Sequence, residues 1–300
     1  MKLWYDKPAA NWREALPIGN GRLGAMLSGG LAADRWQLNE ETLWSGGPHH
    51  YERPNAHRHL EDVRQAIFQG RNEQAEELFQ RHMRGEPAPL QTYLPFCDVG
   101  FDYPGHSHAE HYRRELDLER SVSTVSYSVD GVDYQREVFC SYPDQAIVMR
   151  VTASRSATLN VSVSLHSLYE QSTVAAEGGD TLVLRGSVGP RPGARRKWVA
   201  GWEGAGLRYE ARLRVESENG SVRVTEDGVL DIRDADALTV YFTGATSFVD
   251  YRDDGGDPAS GNRAHEACLQ PFISGAAATA YRGLYVPLQA GRACSGSRPR

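Results

Sequence analysis

The chain has 300 residues and a formal net charge of −6 at pH 7, long for one core and short for two large ones. The acidic balance argues against a nucleic-acid partner, which calls for a basic surface. No apolar run approaches the ~20 residues needed to cross a bilayer, so no membrane partner is expected, and Cys97, Cys140, Cys268 and Cys294 have neither metal-like nor paired spacing.

The opening Met1-Lys2-Leu3-Trp4-Tyr5-Asp6 shows no apolar core of a secretory signal, which makes a cytoplasmic location the expectation. Next, Gly19-Asn-Gly-Arg-Leu-Gly24 spells the glycine string of a dinucleotide site. That chemistry requires a helix to begin inside the string, with its amides aimed at a pyrophosphate. Here Gly29-Gly30 interrupts within a few residues, and no strand–helix–strand alternation follows. The spacing instead predicts a strand from Arg22 to Ser28, a turn near Ala32–Asp34 and a returning strand from Arg35 to Asn39. No cofactor is expected.

Asn20 and Arg22 lie among glycines that permit close backbone approach. Asn39, Glu40 and Trp44 follow in Leu38-Asn-Glu-Glu-Thr-Leu-Trp-Ser-Gly-Gly-Pro48. Glu40 and Glu41 are neighbours, so on a strand they point to opposite faces and cannot both address one sugar. The pattern predicts one buried or paired carboxylate and one solvated. Trp44 could stack on the C–H face of a pyranose, although a tryptophan in a β-protein more often fills a core or an interface.

Leu60, Val63 and Ile67, then Ala75, Leu78 and Phe79 beyond a break at Gly70, predict a helical pair over about 57–83, with Asn72 as an N-cap. His106-Ser-His-Ala-Glu-His111 places three imidazoles and a carboxylate close together. It sits in a Pro-Gly loop with no cysteine near, and is read as a solvated loop, with no metal site.

From about Ser121 the period is two. Val125, Tyr127 and Val129 alternate with serines, and Asp130-Gly131 marks a hairpin turn before Val132 and Tyr134. Leu159, Val161, Val163 and Leu165 repeat the pattern, as do Leu207, Tyr209, Ala211, Leu213 and Val215, with Asn219-Gly220 before Val222 and Val224. Strands with one wet and one dry face at such spacings predict a mainly β fold: a large antiparallel β-sandwich with an inserted helical pair. Arg191–Lys197 reads as a basic solvated loop. After Glu266 no acidic residue remains and neither period survives. Residues 1–265 are therefore read as the sandwich domain and 266–300 as an aberrant, disordered tail, with a shifted reading frame near His265 as its expected origin.

Several motifs in order carry a family resemblance. They are Trp4–Met26, Leu38–Pro48, Tyr112-Arg-Arg-Glu-Leu-Asp-Leu118, Arg136-Glu-Val-Phe139, Ser141-Tyr-Pro-Asp-Gln145 and Gly244-Ala-Thr-Ser-Phe248. Together they resemble the amino-terminal domain of glycoside hydrolase family 95, the α-L-fucosidases. The resemblance implies inverting hydrolysis of terminal α-linked L-fucose. It also implies a Glu general acid and an Asn-activated water assisted by an acidic residue, all in a downstream (α/α)6 barrel. None of these maps onto this chain, so no catalytic residue is expected here. Asn20, Arg22, Asn39, Glu40 and Trp44 are the candidates for substrate binding or domain contact. The implied partners are a fucosylated glycan and the helical barrel. One alternative is an autonomous carbohydrate-binding module, which needs Trp44, Trp198 or Trp202 exposed on one surface. Another is a purely structural gene remnant with a sticky barrel-facing side; contiguous apolar surface there distinguishes it from the module.

Overall fold

The computed structural model describes residues 1–86, 91–189 and 206–273. Strands β1 (Lys2–Tyr5), β2 (Leu16–Gly19), β3 (Leu23–Leu27) and β4 (Ala33–Glu40) open the chain. Helices α1 (Leu60–Phe68) and α2 (Asn72–His82) follow. Then come β5 (Cys97–Asp102), β6 (Glu110–Asp117), β7 (Val122–Val129), β8 (Val132–Ser141), β9 (Ala146–Ala153) and β10 (Leu159–His166). The last strands are β11 (Ser172–Glu177), β12 (Thr181–Ser187), β13 (Arg208–Glu218), β14 (Ser221–Val224), β15 (Leu230–Ala235) and β16 (Ala237–Thr246), before helix α3 (Pro258–Ile273).

The strands form two antiparallel sheets. One has nine strands in the order β1-β6-β7-β8-β9-β16-β13-β12-β11, the other seven in the order β14-β15-β10-β5-β4-β3-β2. Their inner faces share one apolar core, to which the predicted alternation contributes directly. Val125, Tyr127 and Val129 point inward from one sheet, and Leu159, Val161, Val163 and Leu165 from the other. This is the sandwich geometry that period-two patterning selects. No described helix is long and apolar enough to cross a membrane.

Turn chemistry decides where the chain reverses. Asp130 and Gly131 have φ of 50° and 71°, the left-handed pair that matches the strand twist of a tight hairpin. Asn219-Gly220 has the same signature but a different destination: β13 belongs to the nine-stranded sheet and β14 to the seven-stranded one. Glycine is required there, since a Cβ on Gly220 would lie 2.3 Å from the Arg233 carbonyl oxygen. The Gly19–Gly24 string forms the β2–β3 hairpin with no helix inside it, which removes the dinucleotide reading.

Three details differ from expectation. Asn72 is the first helical residue of α2, and the cap position is Arg71, with no capping side-chain bond. The helical pair has its own small cluster of Val63, Ala66 and Ala75 rather than a share of the main core, which leaves Ile67 and Phe79 about half-exposed. The backbone of 266–273, read from sequence as tail, continues α3 as helix. Residues 274–300 lie outside the described residues, as do Arg191–Lys197, Trp198 and Trp202.

α3 also explains why β16 is buried along nearly its whole length on both faces. The sandwich core covers one face; Arg150, Glu216 and α3 cover the other, and α3 also reaches β13, where the fully buried Asn262 amide donates to the Glu210 carbonyl at 2.7 Å.

Candidate functional site

Three of the five candidate residues, Asn20, Arg22 and Glu40, meet at one end of the sandwich, where β3 and β4 approach the β8–β9 turn and the end of β16. The β2–β3 turn is an Asx turn. Asn20 Oδ1 accepts from the Arg22 and Leu23 amides at 3.1 and 2.8 Å, and Gly21 takes φ 94°. Asn20 Nδ2 donates to the Ser141 carbonyl across the sandwich at 2.9 Å. This fixes the start of β3 against the β8–β9 turn.

Arg22 extends the same join. Its Nε donates to Gln145 Oε1 at 2.6 Å, its Nη2 to the Gln145 carbonyl, and its Nη1 to the Gly244 carbonyl on β16. Nη1 also faces Glu40 Oε1 at 3.4 Å, and Nη2 lies 3.4 Å from His265 Nδ1 on α3. One guanidinium thus ties together both sheets and the last helix. Burial lowers its pKa, and Glu40 opposes that shift.

Glu40 shares its strand parity with Asp34, Trp36 and Leu38, all buried, and is only 2% exposed itself. Its Oε2 accepts from the Thr42 amide and hydroxyl at 2.8 and 2.6 Å. Burial raises its pKa, countered by the Thr42 bonds and by Arg22. The Thr42 hydroxyl in turn shares a hydrogen bond with the Thr246 hydroxyl at the end of β16. Glu41 is exposed, so the two adjacent acids divide between core and solvent as their parity predicts. His265, half-buried and facing Arg22, has its pKa lowered to about 4 by desolvation and then by the Arg22 charge.

Asn39 lies on the opposite face of β4, half-buried, with Nδ2 3.4 Å from the Leu94 carbonyl. Trp44 stands just beyond the strand. Its Nε1 donates to the Glu41 carbonyl at 3.0 Å, and its ring meets Tyr93 at 5.2 Å and 50°.

This arrangement is suited to holding elements together rather than to acid–base chemistry on a sugar. Glycoside hydrolysis needs two carboxyl groups roughly 5–10 Å apart and facing the scissile bond. Glu40 is sealed from solvent, and its acidic neighbour points away. Every other buried acid of the described residues is engaged: Asp34 by Arg136, Asp98 by Arg35, Glu210 by Arg185, Asp231 by Arg223 and Asp144 by Ser141. His106 is not in a solvated loop. It is buried among Tyr103, Tyr127 and Tyr134 with Nδ1 2.9 Å from the Tyr127 hydroxyl, and burial lowers its pKa. His108 and His111 are exposed. Among the described residues no three His, Cys, Asp or Glu side chains come together as a metal site.

Sequence reasoning missed Thr42, Gln145, Gly244, Thr246 and His265. It also missed the core ion pair Arg136–Asp34, for which parity was a usable signal: Arg136 alternates with Val132, Tyr134 and Val138, and Asp34 with Trp36 and Leu38.

Residues 3–251 match the family model described as Glycosyl hydrolase family 65, N-terminal domain. A protein named "Alpha-L-fucosidase 2" of Arabidopsis thaliana is 32% identical over 257 residues, covering 83% of this chain and 30% of its own length. "Probable alpha-fucosidase A" of Aspergillus oryzae is 28% identical over 281 residues, covering 86% of this chain and 36% of its own length. Its namesake from Aspergillus niger is 33% identical over 165 residues, 51% of this chain and 20% of its own. The chain spans about a third or less of the length of these curated relatives.

Proposed function

Since the chain belongs to the glycosyl hydrolase family 65 N-terminal domain family, we propose that it is the amino-terminal β-sandwich portion of an α-L-fucosidase-like enzyme of family 95. The enzyme's substrate is terminal α-linked L-fucose in glycans. The observation that carries this reading is the 32% identity to a protein named as an α-L-fucosidase, over 83% of this chain but only 30% of that protein. In this reading the acid and base reside in a helical barrel domain, and the sandwich alone does not turn over substrate. That division is consistent with the buried acids here, each already held by an arginine or a hydroxyl.

Asn20, Arg22 and Glu40 then act as a rigid plug at the end of the sandwich where α3 is anchored, presenting Asn39 and Trp44 toward the barrel. Exposed Tyr142 and Phe248, which flank the plug in sequence through Gln145 and Thr246, supply apolar surface for the same contact. A second reading, an autonomous carbohydrate-binding module, is favoured by the exposure of Trp44.

The test is hydrolysis of an aryl α-L-fucoside. The purified chain is compared with a chimera in which it replaces the matching segment of the Arabidopsis relative. Turnover by the chimera alone is the expected result. Turnover by the pure 300-residue chain, or a folded chimera without activity, overturns the proposal.

A further inference from the structure

We propose that the ring pair of Trp44 and Tyr93 is a carbohydrate-contacting platform which accepts the apolar C–H face of a pyranose. The choice of a sugar as occupant rests on the glycoside hydrolase reading above. The existence of a prepared surface does not.

Both rings are left accessible, Trp44 at 43% and Tyr93 at 42%, whereas Trp36 in the core is at 1%. They meet at 5.2 Å and 50°, forming an open corner rather than a closed stack. The corner is held from behind. An isolated β-bridge pairs Trp44 with Tyr93, and the Ser45 amide donates to the Thr92 carbonyl at 2.8 Å. The Thr92 amide returns a bond to Ser45 Oγ at 2.9 Å, and the Leu94 amide donates to the Leu43 carbonyl at 3.0 Å. Leu43 is fully buried beneath the clasp. Gly46, at φ 88°, admits the Gln91 side chain where a Cβ would collide. With the Trp44 indole N–H already satisfied by Glu41, the rings have little freedom left to lose on binding.

The fringe selects the occupant. Exposed Glu41, whose carbonyl holds the Trp44 indole, and half-buried Asn39, which hydrogen-bonds Tyr93, stand beside the rings. A flat apolar protein surface would cover these polar groups without pairing them, which costs free energy. A pyranose has an apolar face for the rings and equatorial or axial hydroxyls at its rim for a carboxylate and an amide. The acidic fringe also disfavours phosphate-bearing ligands. Trp4, Tyr5 and Trp12, the other exposed aromatics near the amino terminus, lack this combination. Trp4 and Tyr5 carry the guanidinium carbons of Arg113 and Arg114 over their rings at 4.7 and 4.2 Å, and Trp12 stands in a separate 3-10 turn.

The test is saturation-transfer-difference NMR of methyl α-L-fucopyranoside with the full 300-residue chain, its Trp44→Ala and Tyr93→Leu variants, and Trp12→Ala as a control. Urea midpoints verify that each variant is folded. The expected result is millimolar binding with transfer to ring-face protons, weakened at least about fivefold by either platform substitution and unchanged by Trp12→Ala. Absence of transfer to the wild-type chain overturns the proposal, as does equal transfer to both folded platform variants. Methyl α-D-glucopyranoside is run in parallel. Equal, Trp44-dependent binding of both sugars supports the platform as a general pyranose contact, whereas the fucosidase reading of the preceding section stands or falls by the chimera assay, so the two failures are separable.

Discussion

Breaking the core ion pair between Asp34 and Arg136 should be among the most damaging single changes available to this chain. Arg136 Nη1 lies 3.1 Å from Asp34 Oδ2, with the two side chains 2% and 4% exposed. At an effective dielectric of ~20 that separation gives an attraction of about 5 kcal/mol, which the desolvation of two buried ions largely cancels. The intact pair is therefore worth little net, but an orphaned member is costly. In Arg136→Met, Asp34 Oδ1 keeps the Ser28 hydroxyl and the Gly30 and Arg35 amides, while Oδ2 loses its partner. In Asp34→Asn, Arg136 keeps the Gly30 carbonyl and the ring faces of Tyr103 and Tyr127, but its charge is unmatched. Each single variant should lose about 3–5 kcal/mol. The double variant, which removes both charges and keeps the amide oxygen, should lose about 2–4 kcal/mol less than the sum. Urea unfolding with linear extrapolation measures all four corners of the cycle. Single losses below about 1 kcal/mol, or strict additivity, would refute the view that this pair is buried and coupled.

His265, with its pKa lowered to about 4 from 6.5 by burial and then by Arg22, stays neutral in the fold where the unfolded chain takes a proton. Its cost is absent above about pH 6.5 and grows as pH falls toward 4, reaching about 2 kcal/mol once partial exposure is allowed for. Urea midpoints of wild type and His265→Asn, compared from pH 7 to 4, should diverge on the acid side, and parallel curves would sink the assignment. Glu40 has the opposite sign, since its raised pKa lets the fold take up a proton before the unfolded chain does and so offsets acid loss; Glu40→Gln should steepen that loss in the same urea series. Replacing Arg22 with Met should raise the His265 pKa without restoring it fully, because burial is the larger cause; an NMR titration of the imidazole decides this. Gly220→Ala, blocked by the Arg233 carbonyl and by φ 68°, should cost about 2–3 kcal/mol, whereas Gly131→Ala, with open space around it, should cost about 1 kcal/mol in chemical denaturation.

The two-sheet architecture was legible because most strands have one wet face. Val125, Tyr127 and Val129 need only their alternation to be placed. Where that condition fails, the reading fails. β16 is buried on both parities, Thr239 and Thr243 included, with α3 packed on it, and no local pattern announces a helix arriving from later in the chain. The destination of Asn219-Gly220 was equally hidden, since a left-handed turn specifies how the chain reverses and not which sheet receives it. Within the site, the burial of Glu40 could be read from its parity with Trp36 and Leu38. The contacts of Arg22 with Gln145, Gly244 and His265 could not: these span 123, 222 and 243 positions and follow from topology alone.

The Arg22 cluster bears on where chemistry can occur. An acid or base acting on a glycoside must reach the bond it protonates or the water it activates, and a carboxylate 2% exposed cannot do so. Glu40 nevertheless has the raised pKa that often marks a catalytic acid. The geometry decides between these readings. Its partners are Thr42 and Arg22, and through them Thr246, Gln145 and Gly244 on the opposite sheet. A perturbed pKa with such partners is the consequence of joining two sheets through a buried charge, and it marks no catalytic acid here.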